Sequence, residues 1–103
     1  MSITTLNVVG CGRVGQTLAR LLHDRGLCRV QDLKARSLDS AQQAARFIGA
    51  GQAVDTLAGM RPADLWMLSV PDTQVQTVAS ELATVWPGPS GHRPPMVFHC
   101  SGF

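Results

Sequence analysis

Three glycines near the amino terminus have the spacing of a phosphate-binding loop. They occupy positions 10, 12 and 15, between an apolar run that ends at Val9 and a segment with helical periodicity. In such a loop the first glycine permits a sharp turn, the second lets the backbone approach a diphosphate, and the third lets the helix pack on the sheet. The alternative is a strand-to-helix turn that binds nothing. We predict that a dinucleotide pyrophosphate contacts Gly10, Cys11, Gly12, Arg13, Val14 and Gly15.

A second group of residues bears on the choice between NADP(H) and NAD(H). An NAD site has an acidic residue near the end of the second strand, and Asp32 is a candidate by its distance from Gly10. The strand is predicted to continue to Ala35, so that Asp32 lies within it and Arg36 and Ser37 lie at its tip. A guanidinium and a hydroxyl suit a 2′-phosphate, which makes NADP the predicted cofactor and NAD the alternative. A solvated arginine and a plain helix cap are the other interpretations of this pair.

Strand-like and helix-like segments alternate along the chain. Strands are predicted over 3–9, 27–35, 52–54, 65–70 and 96–99; helices are predicted over 13–25, after the cap Ser37 to 48, and after the cap Asp72 to 85, with a helical turn over 56–60. Such alternation predicts an α/β fold, a doubly wound parallel sheet (Rossmann fold) of about five strands in the order 3-2-1-4-5.

The composition excludes several classes of function. The 103 residues suit a single domain, and a net charge of +2 without a cluster of Lys and Arg argues against nucleic-acid binding. The apolar runs are too short to cross a membrane, and no signal peptide precedes the first strand. Three cysteines at unrelated spacings are typical of reduced thiols, so we expect a cytoplasmic protein.

Few side chains in this sequence suggest catalysis by themselves. His99, near the end of the last strand, is a weak candidate for a general acid or base, although a structural histidine is the favoured interpretation. No metal site is predicted, because His99 and Cys100 should be separated from Cys11 by an intervening strand.

Several short motifs together resemble a known family. They are Gly10–Gly15, Arg36-Ser37 with Ser40-Ala41 and Phe47-Ile48-Gly49-Ala50, Ser69-Val70-Pro71-Asp72, and His99-Cys100-Ser101-Gly102. In this order they are similar to bacterial Rossmann-like oxidoreductases of the 6-phosphogluconate-dehydrogenase-like group, most of all to a subgroup with a C-terminal helical domain of unknown function. Pyrroline-carboxylate reductases and deazaflavin-dependent NADP reductases resemble the chain more distantly.

The resemblance implies further roles. Val70, Pro71 and Asp72 would lie beside the nicotinamide ribose, and Ser101, within the 99–102 segment, would close the nicotinamide side of the crevice. Many relatives have Asn at the position of Ala35, so one polar contact near the adenosine phosphate would be lacking. Relatives continue into a helical domain that completes the substrate site and the dimer interface, and we expect that domain to be missing from residues 1–103.

The sequence therefore predicts the NADP(H)-binding domain of an oxidoreductase, and none of its motifs identifies the substrate. A non-catalytic dinucleotide-sensing module is the alternative, and a methyltransferase-like domain is disfavoured because it prefers an acidic tip on the second strand. A homodimer formed through the C-terminal region is also predicted, since Trp86, Phe98 and Phe103 should expose aromatic surface there.

Overall fold

The computed structural model describes residues 4–10, 12–57, 59–70, 72–85 and 96–99. In chain order the elements are β1 (Thr5–Val9), α1 (Arg13–Asp24), β2 (Arg29–Lys34), α2 (Leu38–Ile48), β3 (Gln52–Val54), β4 (Leu65–Leu68), α3 (Asp72–Val85) and β5 (Met96–His99). Each predicted strand and helix is therefore present. Within these ranges no helix combines the length and the apolar character needed to cross a membrane.

The five strands form one parallel sheet in the order β3-β2-β1-β4-β5, as the sequence predicts. Strand β1 is central. Its last residue, Val9, pairs with Lys34 of β2 on one side and with Leu68 of β4 on the other. The carboxyl ends of the three central strands thus meet at one edge, which is where ligands of open α/β sheets bind.

Successive side chains of a strand point to opposite faces of the sheet, so the sheet has two apolar faces, and different elements cover them. On one face α1 and α2 cover a cluster of buried residues that comprises Leu6, Val8, Ala19, Cys28, Val30, Leu33, Ile48 and Met67. On the other face the 55–63 connection and α3 cover Val9, Leu57, Met60, Ala63, Trp66 and Leu68. Trp66 is the largest side chain of this second cluster. Burial also raises the pKa of the Cys28 thiol, which keeps it protonated at neutral pH.

Local signals set the limits of α2. The helix is capped by Ser37, whose hydroxyl accepts a hydrogen bond from the N–H of Ser40 at 3.1 Å. It ends at Gly49, which has the left-handed φ of 84° that favours glycine after a helix. The buried face of α2 consists of Ala41, Ala44 and Ile48.

Some predicted limits are wrong by one or two residues. Strand β2 begins at Arg29 instead of at residue 27, because the N–H groups of Leu27 and Cys28 both donate to the carbonyl of Leu22 and so close the end of α1. Strand β4 ends at Leu68, two residues before the predicted limit.

A tight turn lies between β3 and β4, where the helical turn over 56–60 is predicted. The N–H of Gly59 donates to the carbonyl of Thr56 at 3.2 Å, and the N–H of Met60 donates to that of Leu57 at 3.1 Å. This turn carries Leu57 and Met60 onto the second face of the sheet. The predicted turn is confirmed.

Candidate functional site

The glycine loop lies where the central strands end. The N–H of Gly10 donates to the carbonyl of Lys34 at 2.6 Å, and the N–H of Ser69 donates to the carbonyl of Val9 at 2.8 Å. These two bonds extend the pairing of β1 with β2 and with β4 beyond the strands themselves. The loop, the tip of β2 and the end of β4 are therefore neighbours.

Two of the glycines are required by the fold, and both face Ser69. Gly10 has a φ of 82°, which L side chains rarely adopt, and a Cβ there would collide with the carbonyl oxygen of Ser69. Gly15 is a buried residue in the first turn of α1, and a Cβ there would collide with the side chain of Ser69. The predicted roles of Gly10 in the turn and of Gly15 in helix–sheet packing are confirmed.

Gly12 differs from the other two glycines. Its φ of −67° and ψ of 164° are open to any residue. A Cβ there would meet the Ser69 Oγ at 3.3 Å and the Ser69 carbonyl oxygen at 4.0 Å. Gly12 is also exposed to solvent. Neither backbone strain nor a collision with a neighbouring residue requires glycine at this position. What glycine provides here is a backbone that no side chain covers on its solvent-facing side.

The amino-terminal end of α1 presents hydrogen-bond donors at this edge. Gly12 is the N-cap and supplies no side-chain acceptor, while its carbonyl accepts the first intrahelical bond, from the N–H of Gln16 at 2.9 Å. The N–H groups of Arg13, Val14 and Gly15 therefore have no acceptor within the helix. The first turn also has no acidic residue, and the side chains of Arg13 and Val14 are exposed. This helix end suits an anionic ligand.

The tip of β2 carries the second predicted group. Strand β2 ends at Lys34, one residue before its predicted limit; Ala35 is buried, whereas Arg36 and Ser37, which follow it, are exposed. The hydroxyl of Ser37 caps α2 and also donates to the Oγ of Ser40 at 3.0 Å. Because α2 follows the carboxyl end of β2, its amino-terminal end lies at the same edge of the sheet as that of α1, two residues after Arg36.

Asp32 is engaged elsewhere. The residue is 1% exposed, and its carboxylate accepts hydrogen bonds from the backbone N–H of Arg61 at 2.7 Å and from the guanidinium at 2.9 Å. The carboxylate raises the pKa of the Arg61 guanidinium through this hydrogen bond and through its charge. The prediction that Asp32 lies within β2 is confirmed, and its carboxylate holds the 55–63 connection instead of facing the strand tip.

Two more polar side chains join this contact. The amide of Asn7 donates to the carbonyl of Arg61 at 2.6 Å, and its oxygen accepts from the N–H of Asp32 at 3.1 Å. The amide of Gln31 donates to the carbonyl of Pro62 at 2.9 Å. We call Asn7, Gln31, Asp32 and Arg61 the polar cluster.

The remaining predicted residues lie at the ends of β4 and β5. Val70 follows β4 and is partly buried. The cap predicted at Asp72 is wrong by one position, because α3 begins at Asp72 itself and this residue belongs to the first helical turn. His99 pairs with Leu68, which puts it at the carboxyl edge of the sheet. Cys11, Pro71 and Ser101 lie outside the described residues.

Ser69 belongs to the Ser69–Asp72 motif, but the sequence interpretation assigned no role to it. It is 7% exposed, and a Cβ added at any of the three loop glycines would lie within 3.3 Å of one of its atoms. A small polar residue after a buried strand, directly before the predicted 70–72 segment, was the available signal. As for metals, the described part of the chain contains no group of three or more His, Cys, Asp or Glu side chains able to hold an ion.

Comparison with known proteins gives the same fold. The sequence matches the model of the Rossmann-like domain over residues 2–103. Among curated proteins, none matches it significantly.

Several solved structures are similar. A protein from Bacteroides fragilis assigned as an NADP oxidoreductase is 23% identical, with a TM-score of 0.74 over 94% of this chain and 35% of its own. For Synechocystis arogenate dehydrogenase the identity is 20% and the TM-score 0.73, over 92% of this chain and 32% of the other. A pyrroline-5-carboxylate reductase from Coxiella burnetii is 20% identical, with a TM-score of 0.74 over 97% of this chain and 36% of its own. Such identities show the fold alone, and the chain spans about a third of each of these proteins.

Proposed function

Because the chain belongs to the Rossmann-like domain family and presents an uncapped helix end at the carboxyl edge of its sheet, we propose that it binds a nicotinamide dinucleotide there. The observation that carries this proposal is the exposed, unstrained Gly12 at the start of α1. A diphosphate accepts hydrogen bonds from the free N–H groups of the first turn and is attracted by the helix dipole. The absence of a Cβ at Gly12 lets it approach these groups.

We propose NADP(H) as the preferred cofactor. The nearest acidic candidate, Asp32, is buried in its contact with Arg61, which removes the usual partner of an unmodified ribose. Arg36 follows the strand tip, exposed and beside the amino-terminal end of α2. A fixed positive charge and a helix end together favour the 2′-phosphate of NADP.

We also propose that the chain is the cofactor-binding domain of an oxidoreductase. When bound, the nicotinamide supplies hydride transfer. The residues proposed to orient it are Val70, Pro71, Asp72 and Ser101, after β4 and β5. His99 is the candidate for proton exchange with a substrate, since its pairing with Leu68 puts it at the same edge.

Replacement of Arg36 by alanine tests the cofactor preference. We expect this substitution to weaken NADPH binding by about 1.5–3 kcal/mol, the range of a charge-assisted hydrogen bond, and to leave NADH binding unchanged. Calorimetric titration of both nucleotides into the parent and the variant measures the difference.

Arg46→Ala is the matched control. Arg46 is exposed in the last turn of α2, which runs antiparallel to the strands, so it lies toward the opposite edge of the sheet. Its removal should leave both affinities unchanged. Equal affinities of the parent for NADPH and NADH would contradict the preference, whereas a parent that binds neither would overturn the proposed function.

We further propose that the chain forms a homodimer through its C-terminal region. In the described sheet β5 has a neighbour on one side only, and Val97 on this edge strand is 42% exposed. An open edge with an apolar side chain favours pairing with a second copy.

Light scattering should give a mass above the 11.0 kDa of one chain, and Val97→Asp should return it to that value. A parent that is monomeric at high concentration would refute the dimer, and an unaffected dimer would point to the exposed Val14 and Leu21 of α1.

A further inference from the structure

Helix α1 has a second apolar stripe besides the one that packs on the sheet. Val14, Leu18 and Leu21 recur at the spacing of one helix face, and Val14 and Leu21 are 39% and 47% exposed. Leu18 is partly buried against the cluster under α1 and α2. Together with Arg13 and Thr17 these residues line a groove of about 380 Å³, which we call the α1 groove. Contiguous exposed apolar surface of this kind marks a site of interaction.

The α1 groove lies on the side of the helix that faces away from α2. Arg20, two positions from Leu18 and hence on the opposite side of α1, has its guanidinium 5.2 Å from the ring centre of Phe47 in α2. Helices α1 and α2 connect β1 to β2 and β2 to β3, so they cover that half of the face. Among the described residues no helix covers the same face over β4 and β5, where Phe98 is partly buried. Parallel sheets are normally covered by helices on both faces, so a helix beside α1 would complete this layer.

The charges along the α1 groove are positive. Arg13 lies at its amino-terminal end, and Arg25, four residues after Leu21, continues the stripe at the other end. Both arginines are exposed and make no ion pair with another described residue. Asp24 is the one acidic residue of α1, and it pairs with Arg20 at 3.5 Å. An occupant of the groove therefore meets two unpaired cations about 18 Å apart along the helix, with apolar side chains between them.

We propose that the α1 groove binds an amphipathic helix of a partner protein, which directs its apolar face to Val14, Leu18 and Leu21 and places a carboxylate near each end. The helical form follows from the layer, in which the occupant lies beside α1 as α2 does on the other side. The carboxylates follow from Arg13 and Arg25, whose charges attract an acidic partner and repel a basic one. Binding of this helix does not depend on the proposed cofactor.

The experiment uses two synthetic helical peptides of about 18 residues, which is long enough to span the groove. Both have leucines along one face, and they differ only in the flanking residues, which are Glu in one peptide and Lys in the other. Fluorescence anisotropy should show that the parent chain binds the Glu peptide at least about tenfold more tightly than the Lys peptide, and added salt should reduce this ratio.

Two variants test the location of binding. Leu21→Asp places a carboxylate in the apolar stripe and should weaken binding of the Glu peptide by more than about tenfold. Arg25→Glu should weaken binding of the Glu peptide by about three- to tenfold and strengthen that of the Lys peptide. Leu38→Asp and Arg46→Glu are the matched controls, because both residues are exposed on α2, which lies on the other side of α1. The controls should bind as the parent does, and a thermal melt of each variant shows that it is folded.

Several results would overturn the proposal. They are equal affinities for the two peptides, binding that Leu21→Asp leaves unchanged, and no binding of either peptide, which is expected if another part of the chain fills the groove. Light scattering of the parent and of Leu21→Asp covers the remaining occupant. An oligomer that dissociates in Leu21→Asp would assign the α1 groove to a second copy of the chain and overturn the acidic partner.

Discussion

Substitution of Gly12 by valine is expected to abolish dinucleotide binding while the chain remains folded. The backbone of Gly12 is in a conformation open to any residue, and the nearest atom to an added Cβ is the Ser69 Oγ at 3.3 Å. A few tenths of an ångström of adjustment accommodates this contact. The branched side chain, however, occupies the approach to the N–H groups of the first turn of α1. Several charge-assisted bonds of about 1.5–3 kcal/mol each are then lost together, so affinity should fall more than about 100-fold.

Titration of NADPH with a parallel thermal melt measures both parts of this result. Thr17→Val is the matched control, because it adds the same side chain to an exposed position of α1 one turn further on. The control should bind as the parent does. If Gly12→Val bound either nucleotide with the parent affinity, the glycine loop would not be the pyrophosphate site.

Replacement of Gly10 by alanine should act on the fold instead of on binding alone. We expect it to destabilise the folded chain strongly. The left-handed φ of 82° adds roughly 1–2 kcal/mol of strain for an L side chain. The new Cβ would also collide with the Ser69 carbonyl oxygen and lie 2.6 Å from Val70 Cγ1. Overpacking of this kind costs about 1–3 kcal/mol, more where the neighbour is backbone. Against a total stability of about 5–15 kcal/mol, the combined loss leaves a marginally folded chain.

Urea unfolding of the parent, Gly10→Ala and Gly12→Ala separates the two requirements for glycine. The midpoint should drop sharply for Gly10→Ala and change little for Gly12→Ala, since the added methyl group collides with backbone in the first case and meets only the Ser69 hydroxyl, at 3.3 Å, in the second. Equal midpoints for all three chains would mean that Ser69 yields to the added Cβ, and the packing argument for Gly10 would be wrong.

The architecture could be predicted because its signals are local. Apolar runs such as Leu65–Leu68 and the helical spacing within α1 indicate each element separately. Alternation of the elements then leaves few topologies, because right-handed crossovers determine how parallel strands follow each other. The tip of β2 was predictable for the same reason: the strand length decides that Arg36, and not Asp32, follows its end.

The contacts that complete the site could not be read in this way. Ser69 meets Gly10 across 59 positions of sequence, and Asp32 meets Arg61 across 29. Such pairs depend on how the 55–63 connection crosses the sheet, and the sequence has no periodic pattern of apolar residues that predicts its course. The motif predicts that a diphosphate approaches the backbone at Gly12, but it gives no sign that the Ser69 hydroxyl lies buried next to this glycine without a hydrogen-bond partner among the described residues. The roles of Cys11, Pro71 and Ser101 remain predictions, as do those of the other residues proposed to hold the cofactor.

The polar cluster has a consequence for how the chain selects one strand alignment over its alternatives. If β2 slid along β1 by two residues, the pairing of Leu6 with Val30 and of Val8 with Leu33 would be lost. The Asn7 oxygen would lose the N–H of Asp32, and the Arg61 N–H would lose its carboxylate. Each group left unpaired in the interior costs about 1–3 kcal/mol. The cluster therefore penalises misaligned forms of the sheet more than it stabilises the native one, and the native alignment is what brings Arg36 and the glycine loop to the same edge.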